Sequence, residues 1–226
     1  MKERFIHRRR FLKETMGASL AAIGLPYLVP SSALGKAGAV APSERITLGF
    51  IGTGDHGRNV NIKNFLVNAD AQAVAVCDVD PVNRDAARDM VNKKYGNNDC
   101  ATYKDFREVL ARSDIDAVMI STPDHWHVPI SIAAAKAGKD IECEKPTLTI
   151  REGRMLCETM KRYGRVFQWS TEDRAVDVYH RMCELVRNGR IGKVRTIRVE
   201  LPSGPDTPGD PTPMPVPEGF DYDMWL

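Results

Sequence analysis

Residues 46–57 read Ile46-Thr47-Leu48-Gly49-Phe50-Ile51-Gly52-Thr53-Gly54-Asp55-His56-Gly57, an apolar run that breaks into three spaced glycines. A second apolar run, Ala71 to Cys77, ends in Asp78. Strand, glycine turn, helix, strand and acid, in that order, predict a dinucleotide-binding βαβ unit. Gly52 permits the tight turn, Gly54 lets the backbone approach a pyrophosphate, and Gly57 lets the helix pack close to the strand. The N–H groups at the helix start, around Asp55 and His56, have no helical partner and can hold a phosphate. Asp78 is placed to accept hydrogen bonds from ribose hydroxyls. A glycine-rich turn in some other α/β domain is the plainer alternative. Both strands and an acid about 20 residues downstream weigh against it.

Working outward, the pattern is a regular β/α alternation. A helix is expected near 56–67 and another at 82–94, the second opened by Asp80-Pro81. A turn at Asn97-Asn98 leads to a short helix from Tyr103 to Ala111. Ala117-Val118-Met119-Ile120 is a continuous apolar run and reads as a fully buried strand. A helix from Val128 to Ala137 stops at Gly138, and Asp140 to Cys143 is the next strand. A helix over 150–163 stops at Gly164, and Val166-Phe167-Gln168-Trp169 is a further strand. The fold class is therefore α/β, a doubly wound parallel sheet with its ligand crevice at the carboxyl ends of the strands.

The pattern changes after 170. Val176, Tyr179, Met182, Leu185 and Val186 give one face of a helix that ends at Gly189. Lys193 to Leu201 alternates and reads as a strand of a different sheet. Residues 202–219 are dense in Pro, Gly and Asp, and the chain stops at Leu226. One helix and one strand cannot form a second core. The reading is a nucleotide-binding domain over 45–170 and the start of a second domain over 171–226, in a chain expected to be a piece of a longer protein.

The first 39 residues read as an address. Arg8-Arg9-Arg10-Phe11-Leu12-Lys13 precedes a mild apolar stretch from Met16 to Pro30, and Ala37-Gly38-Ala39 offers a cleavage site. The stretch is too short and weak for a stable membrane span. Twin arginines before Phe11-Leu12-Lys13 resemble the twin-arginine export motif, so a periplasmic or cell-envelope location is expected.

The 226-residue chain is 42% hydrophobic and 27% charged, the balance of a soluble globular protein. Its formal charge of +2 is concentrated in the leader, and the remainder is weakly acidic. A nucleic-acid partner is not expected, since no Lys/Arg stripe with interleaved aromatics occurs. Cys77, Cys100, Cys143, Cys157 and Cys183 are odd in number and show no C-x-x-C spacing, so neither a disulfide framework nor a metal site is indicated.

Besides the glycine turn, two segments fall at strand carboxyl ends: Ser121-Thr122-Pro123-Asp124-His125-Trp126-His127 and Glu144-Lys145-Pro146. Ser121, Thr122, Pro123, Trp126, His127, Glu144, Lys145 and Pro146 are accordingly candidate cofactor residues. Asp124 reads equally as the cap of the following helix. With Cys77-Asp78-Val79-Asp80 and the later stretch Arg187 to Val194, these motifs resemble the Gfo/Idh/MocA family of NAD(P)-dependent oxidoreductases. The resemblance covers residues 45–226. It implies a Rossmann domain followed by an α/β domain with a large open antiparallel sheet, through which such proteins form homo-oligomers.

It also implies that Lys145 faces the nicotinamide and the substrate hydroxyl, which it would orient and polarise, with a pKa lowered by desolvation. His127 joins it as a catalytic candidate, and Arg174 as a substrate contact. The family's main acid/base pair, an Asp and a His, lies in the second domain, and no matching motif precedes Leu226. The cofactor implied is NAD, with NADP disfavoured by the charge of Asp78. The substrate implied is a sugar, polyol or sugar derivative. Asp124-His125-Trp126-His127 also resembles a tryptophan-rich loop of NAD-dependent glycoside hydrolases, whereas Lys145 argues for a dehydrogenase. A non-catalytic dinucleotide-binding module is the third possibility.

Overall fold

The computed structural model describes residues 31–36, 40–201 and 210–226. The twin-arginine motif and the Ala37-Gly38-Ala39 site lie outside the described residues. By contacts the chain divides into two units, Met1–Glu44 and Arg45–Leu226. In the first, 3-10 turns at Ser31–Leu34 and Pro42–Glu44 are described.

The second unit is built on six parallel strands: β1 (Ile46–Ile51), β2 (Ala71–Cys77), β3 (Ala101–Tyr103), β4 (Ala117–Ile120), β5 (Asp140–Glu144) and β6 (Phe167–Ser170). Their spatial order is β3-β2-β1-β4-β5-β6. The order reverses between β1 and β4, which opens a crevice above their carboxyl ends. Ile51 pairs with Cys77 on one side and Ile120 on the other, so the glycine turn, Asp78 and Ser121 leave the sheet at one level. Ile120 in turn pairs with Cys143, which brings Glu144 and Lys145 to the same edge.

Helices cover both faces. Ile51, Val118, Ile120 and Cys143 pack with Val109, Ile130 and Ala134 on one side, and Phe50, Val76 and Met119 pack with Ile62 and Val91 on the other. The continuous apolar runs of β1 and β4 are thus buried on both faces, as a parallel central strand requires. Local signals set the helix ends. Asp80 caps the Pro81–Tyr95 helix by accepting from Val82 N, and Gly96 ends it at φ 68°. Thr149 and Glu152 form a reciprocal capping box at the Ile150–Tyr163 helix.

Four expectations need correction. A strand, β3, occupies Ala101–Tyr103, and the short helix begins only at Phe106, capped by Asp105. The helix expected from Val128 begins at Asp124, with Pro123 at the cap position; Asp124 is its first residue and not its cap. Pro129 lies inside the helix on the exposed side. The first helix opens with a π turn, Gly57–Ile62, before the α turn Lys63–Phe65. Finally, 193–201 forms no ladder among the described residues, and Ile197 and Val199 are exposed, because no strand edge lies beside them. The Asp177–Arg187 helix is as expected, with Tyr179, Met182 and Leu185 on an exposed face.

The glycine turn separates backbone need from open space. Gly52 has φ +85°, and a Cβ there would lie 2.6 Å from the Ser121 carbonyl carbon, while one at Gly54 would meet nothing within 4 Å. Gly52→Ala is therefore expected to lose roughly 1–3 kcal/mol of stability. Gly54→Ala should leave the unfolding midpoint almost unchanged. Chemical denaturation of both variants checks the contrast, and equal losses would contradict it.

Candidate functional site

A cleft of about 320 Å³ opens above the carboxyl ends of β1, β2 and β4. Gly52, Gly54, Asp55, His56, Gly57, Asp78, Ser121, Thr122, Pro123 and Trp126, all expected from the sequence, line it. Glu144, Lys145 and Pro146 stand at the adjoining end of β5.

Close packing shapes the turn. A Cβ on Gly57 would sit 2.5 Å from the Gly52 carbonyl oxygen, so the helix can approach the strand only without one. The first-turn N–H groups then face the cleft, where Gly54 leaves room in front of the backbone. Thr122 Oγ1 is buried with no hydrogen-bond partner, a polar atom left for a ligand. An open glycine cradle, an orphan hydroxyl and an acid at the end of β2 fit a dinucleotide.

Asp78 has a second task. Its Oδ2 accepts from Thr53 N at 2.6 Å and Thr53 Oγ1 at 3.1 Å, and its Oδ1 accepts from Asp80 N at 2.9 Å. A carboxylate has about four acceptor positions, so the acid both locks the glycine turn and keeps capacity for one ribose hydroxyl.

Glu144 is 5% exposed at the end of β5 and organises the other wall. Its Oε1 accepts from Asn61 Nδ2 at 3.0 Å and lies 2.9 Å from His56 Nε2, and its Oε2 accepts from Lys145 Nζ at 2.9 Å. Burial pushes its pKa up, but the hydrogen bonds from Asn61 and Lys145 and the contact with His56 outweigh that and hold it below the ordinary carboxylate value. The Lys145 pKa is raised, chiefly by the hydrogen bond it donates to Glu144. This corrects the expectation of a desolvated, acidified lysine. The ammonium is half-exposed, so desolvation is the smaller influence. Glu172 Oε1 lies 3.6 Å from His56 Nε2, so His56, Glu144 and Glu172 place three possible metal-ligand atoms within 4.8 Å of one another. The Glu144 oxygens are already engaged by Asn61 and Lys145, and the group is in place as a hydrogen-bond network.

His127 is 1% exposed and lies outside the cleft lining. Its Nδ1 is 2.9 Å from the Pro146 carbonyl oxygen and its Nε2 is 2.8 Å from the Thr122 carbonyl oxygen. The two ring nitrogens lie against one carbonyl of the β4 loop and one of the β5 loop, and the ring is enclosed between them, away from the cleft lining. The geometry makes it a positioning residue in place of the catalytic one expected. Arg174 is exposed on the Glu172–Arg174 turn and lines a shallow depression beside β6, apart from the cleft lining.

Sequence reading missed Asn61, whose amide donates to both Ser121 Oγ (2.8 Å) and Glu144. Its signal is a polar residue on the inward side of the helix that follows the glycine turn, four positions after Gly57. It also missed Lys104, Phe106, Phe220, Met224 and Trp225 in the cleft lining, which come from segments far apart in sequence.

Because the Glu144 pKa is lower in the folded chain, its contribution to stability is present above the ordinary value of 4.5 and is lost as pH falls through the lower folded value. Glu144→Gln should remove that acid-side contribution and flatten the stability profile below about pH 5. Denaturation midpoints between pH 3 and 7 measure it. An unaltered profile in the variant would show that the carboxylate is not held by these donors.

A family model described as an oxidoreductase family with an NAD-binding Rossmann fold matches residues 46–171. Among curated proteins, a glycosyl hydrolase family 109 protein of Shewanella sp. (strain ANA-3) is 35% identical over 176 residues, covering 70% of this chain and 37% of the relative. An α-N-acetylgalactosaminidase of Shewanella oneidensis is 34% identical over the same shares. The chain spans less than half the length of these curated relatives. Among solved structures, scyllo-inositol dehydrogenase from Lactobacillus casei with bound NAD(H) and scyllo-inositol is similar at TM-score 0.58 and 27% identity, over 66% of this chain and 42% of that one. The six-stranded order, the glycine cradle and the matched residues converge: the chain belongs to the Gfo/Idh/MocA family of oxidoreductases.

Proposed function

We propose that this chain carries the cofactor half of an exported, NAD-dependent oxidoreductase that moves a hydride between nicotinamide and a secondary alcohol carbon of a sugar, polyol or sugar derivative. The observation that carries the reading is a glycine-turn cleft with, at the adjoining end of β5, a lysine paired with a buried carboxylate. When bound, the nicotinamide supplies the hydride acceptor. The backbone N–H groups at 54–57 would hold the pyrophosphate, and Asp78 would accept from the adenosine ribose. Lys145 would donate a hydrogen bond to the substrate oxygen and stabilise the alkoxide charge that forms when the hydroxyl proton is removed and is discharged into the carbonyl as hydride leaves. Paired with Glu144, its ammonium would act as a donor, and the hydroxyl proton would pass to another group.

NAD is preferred to NADP in this reading because Asp78 would repel a 2′-phosphate. The nearby cations are engaged: Arg58 donates to the Thr53 carbonyl and to Asn83, and Arg84 Nε lies 3.4 Å from Asp85 Oδ1. Residues 171–226 are read as the beginning of the substrate and oligomerisation domain.

A second reading is supported by the curated relatives, which are family 109 glycosidases and an α-N-acetylgalactosaminidase. There the same alcohol oxidation is transient. It acidifies a neighbouring C–H bond so that the aglycone is eliminated, an exception to the two-carboxylate rule. The protein carrying this sequence is tested in two assays, NADH formation on inositols and free sugars, and nitrophenol release from p-nitrophenyl α-N-acetylgalactosaminide. Net NADH supports the dehydrogenase, nitrophenol without net NADH supports the hydrolase, and cofactor binding without either supports a non-catalytic module.

Lys145→Met should leave the NAD dissociation constant within about twofold and lower kcat by about 100-fold or more, since the lost interaction is at the reacting centre. Calorimetric titration and steady-state kinetics separate the two quantities, and the same titration with NADP should give at least about tenfold weaker binding. Parallel loss of NAD affinity and kcat would make Lys145 a cofactor or structural residue.

The export proposal rests on Arg8-Arg9-Arg10-Phe11-Leu12-Lys13. Replacing Arg8 and Arg9 with Lys should hold the protein in the cytoplasm. Unchanged accumulation in the periplasmic fraction would remove the twin-arginine reading.

A further inference from the structure

Residues 217–226 fold back onto the cleft from a distant part of the chain. Asp221 N donates to the Val79 carbonyl at 3.2 Å, one residue beyond Asp78. Asp221 Oδ2 pairs with Lys104 Nζ at 2.6 Å, at the end of β3. Gly219 lies against Pro81, where a Cβ would come within 3.1 Å of the ring. At the other end of the short Tyr222–Trp225 helix, the Trp225 carbonyl accepts from Trp126 Nε1 at 3.1 Å and lies 2.8 Å from His125 Nε2. The segment is therefore tied to the ends of β2 and β3 and to the helix after β4. Phe220, Met224 and Trp225 line the same cleft as Asp78.

None of these ties reaches Glu144 or Lys145; those of the Trp225 carbonyl reach the start of the helix after β4, and those through Asp221 and Gly219 lie on the Asp78 side of the switch point. That side belongs to adenosine, because Asp78 is the ribose acceptor and the glycine turn separates it from β5. Phe106 and Trp126 already make an aromatic pair there, with ring centroids 5.8 Å apart. Adenine needs flat apolar surfaces to leave water, and aromatic side chains supply them. We propose that residues 217–226 are a strap that completes the adenine subsite, with Met224 and Trp225 as its added wall and the Lys104–Asp221 pair as its latch. The proposal rests on the dinucleotide reading above and assigns binding residues that the glycine-turn motif does not contain.

The test uses ADP-ribose, the cofactor without its nicotinamide ring, titrated calorimetrically into the whole chain and its variants. Trp225→Ala removes the wall and keeps the backbone carbonyl; it should weaken ADP-ribose binding about tenfold, the scale of one base–aromatic contact. Asp221→Asn keeps the capping oxygen and removes the latch charge; it should weaken binding about threefold. Both residues are at the surface, and equal melting temperatures without ligand confirm that the fold is kept. Unchanged affinity in both variants, with clear binding by the parent, overturns the strap alone. Tighter binding in Asp221→Asn also overturns it, because a freed Lys104 or an emptied cleft would then be what favours the ligand. A parent chain that binds neither ADP-ribose nor NAD overturns the dinucleotide reading and the strap with it.

Discussion

One buried carboxylate, Glu144, holds the crevice in working order. It ends β5 and reaches across the switch point to the helix that follows the glycine turn, where Asn61 and His56 meet it. An ionised carboxylate in this setting is tolerable only while its oxygens are satisfied. Its ionisable partners Lys145 and His56 are half-exposed, so solvent screens each pair, and the buried amide of Asn61 is the partner whose loss would strand the carboxylate most. The glycine-turn helix, the β4 loop through Ser121, and Lys145 are therefore positioned by the same demand. The charge of Lys145 follows from it too: a lysine beside a satisfied anion stays an ammonium and serves as a donor.

Two further devices make the three loops a unit. Asp78 closes the glycine turn onto β2 through Thr53, so the acid proposed to read the ribose also fixes the loop proposed to cradle the phosphate. His127 spans the Thr122 and Pro146 carbonyls, which joins the second and third loops. A site built this way is rigid before any ligand arrives, and preorganisation of this kind is where much of an enzyme's electrostatic advantage arises. The shape of the cleft is thus set by side chains that themselves need hydrogen-bond partners, and less by the sheet, which only brings the loops to one level.

The sheet was legible because its signals are local. Apolar runs marked β1, β2 and β4, short mixed segments after the glycine stops marked β5 and β6, and Gly52, Gly54 and Gly57 stood where a turn, an approach and a close packing each require glycine. β3 escaped notice because three residues show no periodicity. The early helix start at Asp124 was hidden by Pro129, whose usual position is the first turn. Alternation at 193–201 predicted a strand, but a strand exists only where an edge is available to pair with it. The site residues were legible by type and not by role. His127 and Lys145 were found, yet the two carbonyls that hold the first and the carboxylate that charges the second are decided by three-dimensional neighbours. Asn61 and Trp225 belong to the same class, since their importance comes from partners 83 and 99 positions away.

The central claim is that this crevice holds NAD with its pyrophosphate at the glycine turn and its nicotinamide toward Lys145. A crystal structure of the chain with NAD bound tests it most directly. The account predicts pyrophosphate oxygens on the backbone N–H groups of residues 54–57, the adenosine ribose on Asp78, and the nicotinamide beside Glu144 and Lys145. NAD bound in the opposite sense, with adenine at Lys145, or bound away from the glycine turn altogether, would contradict it.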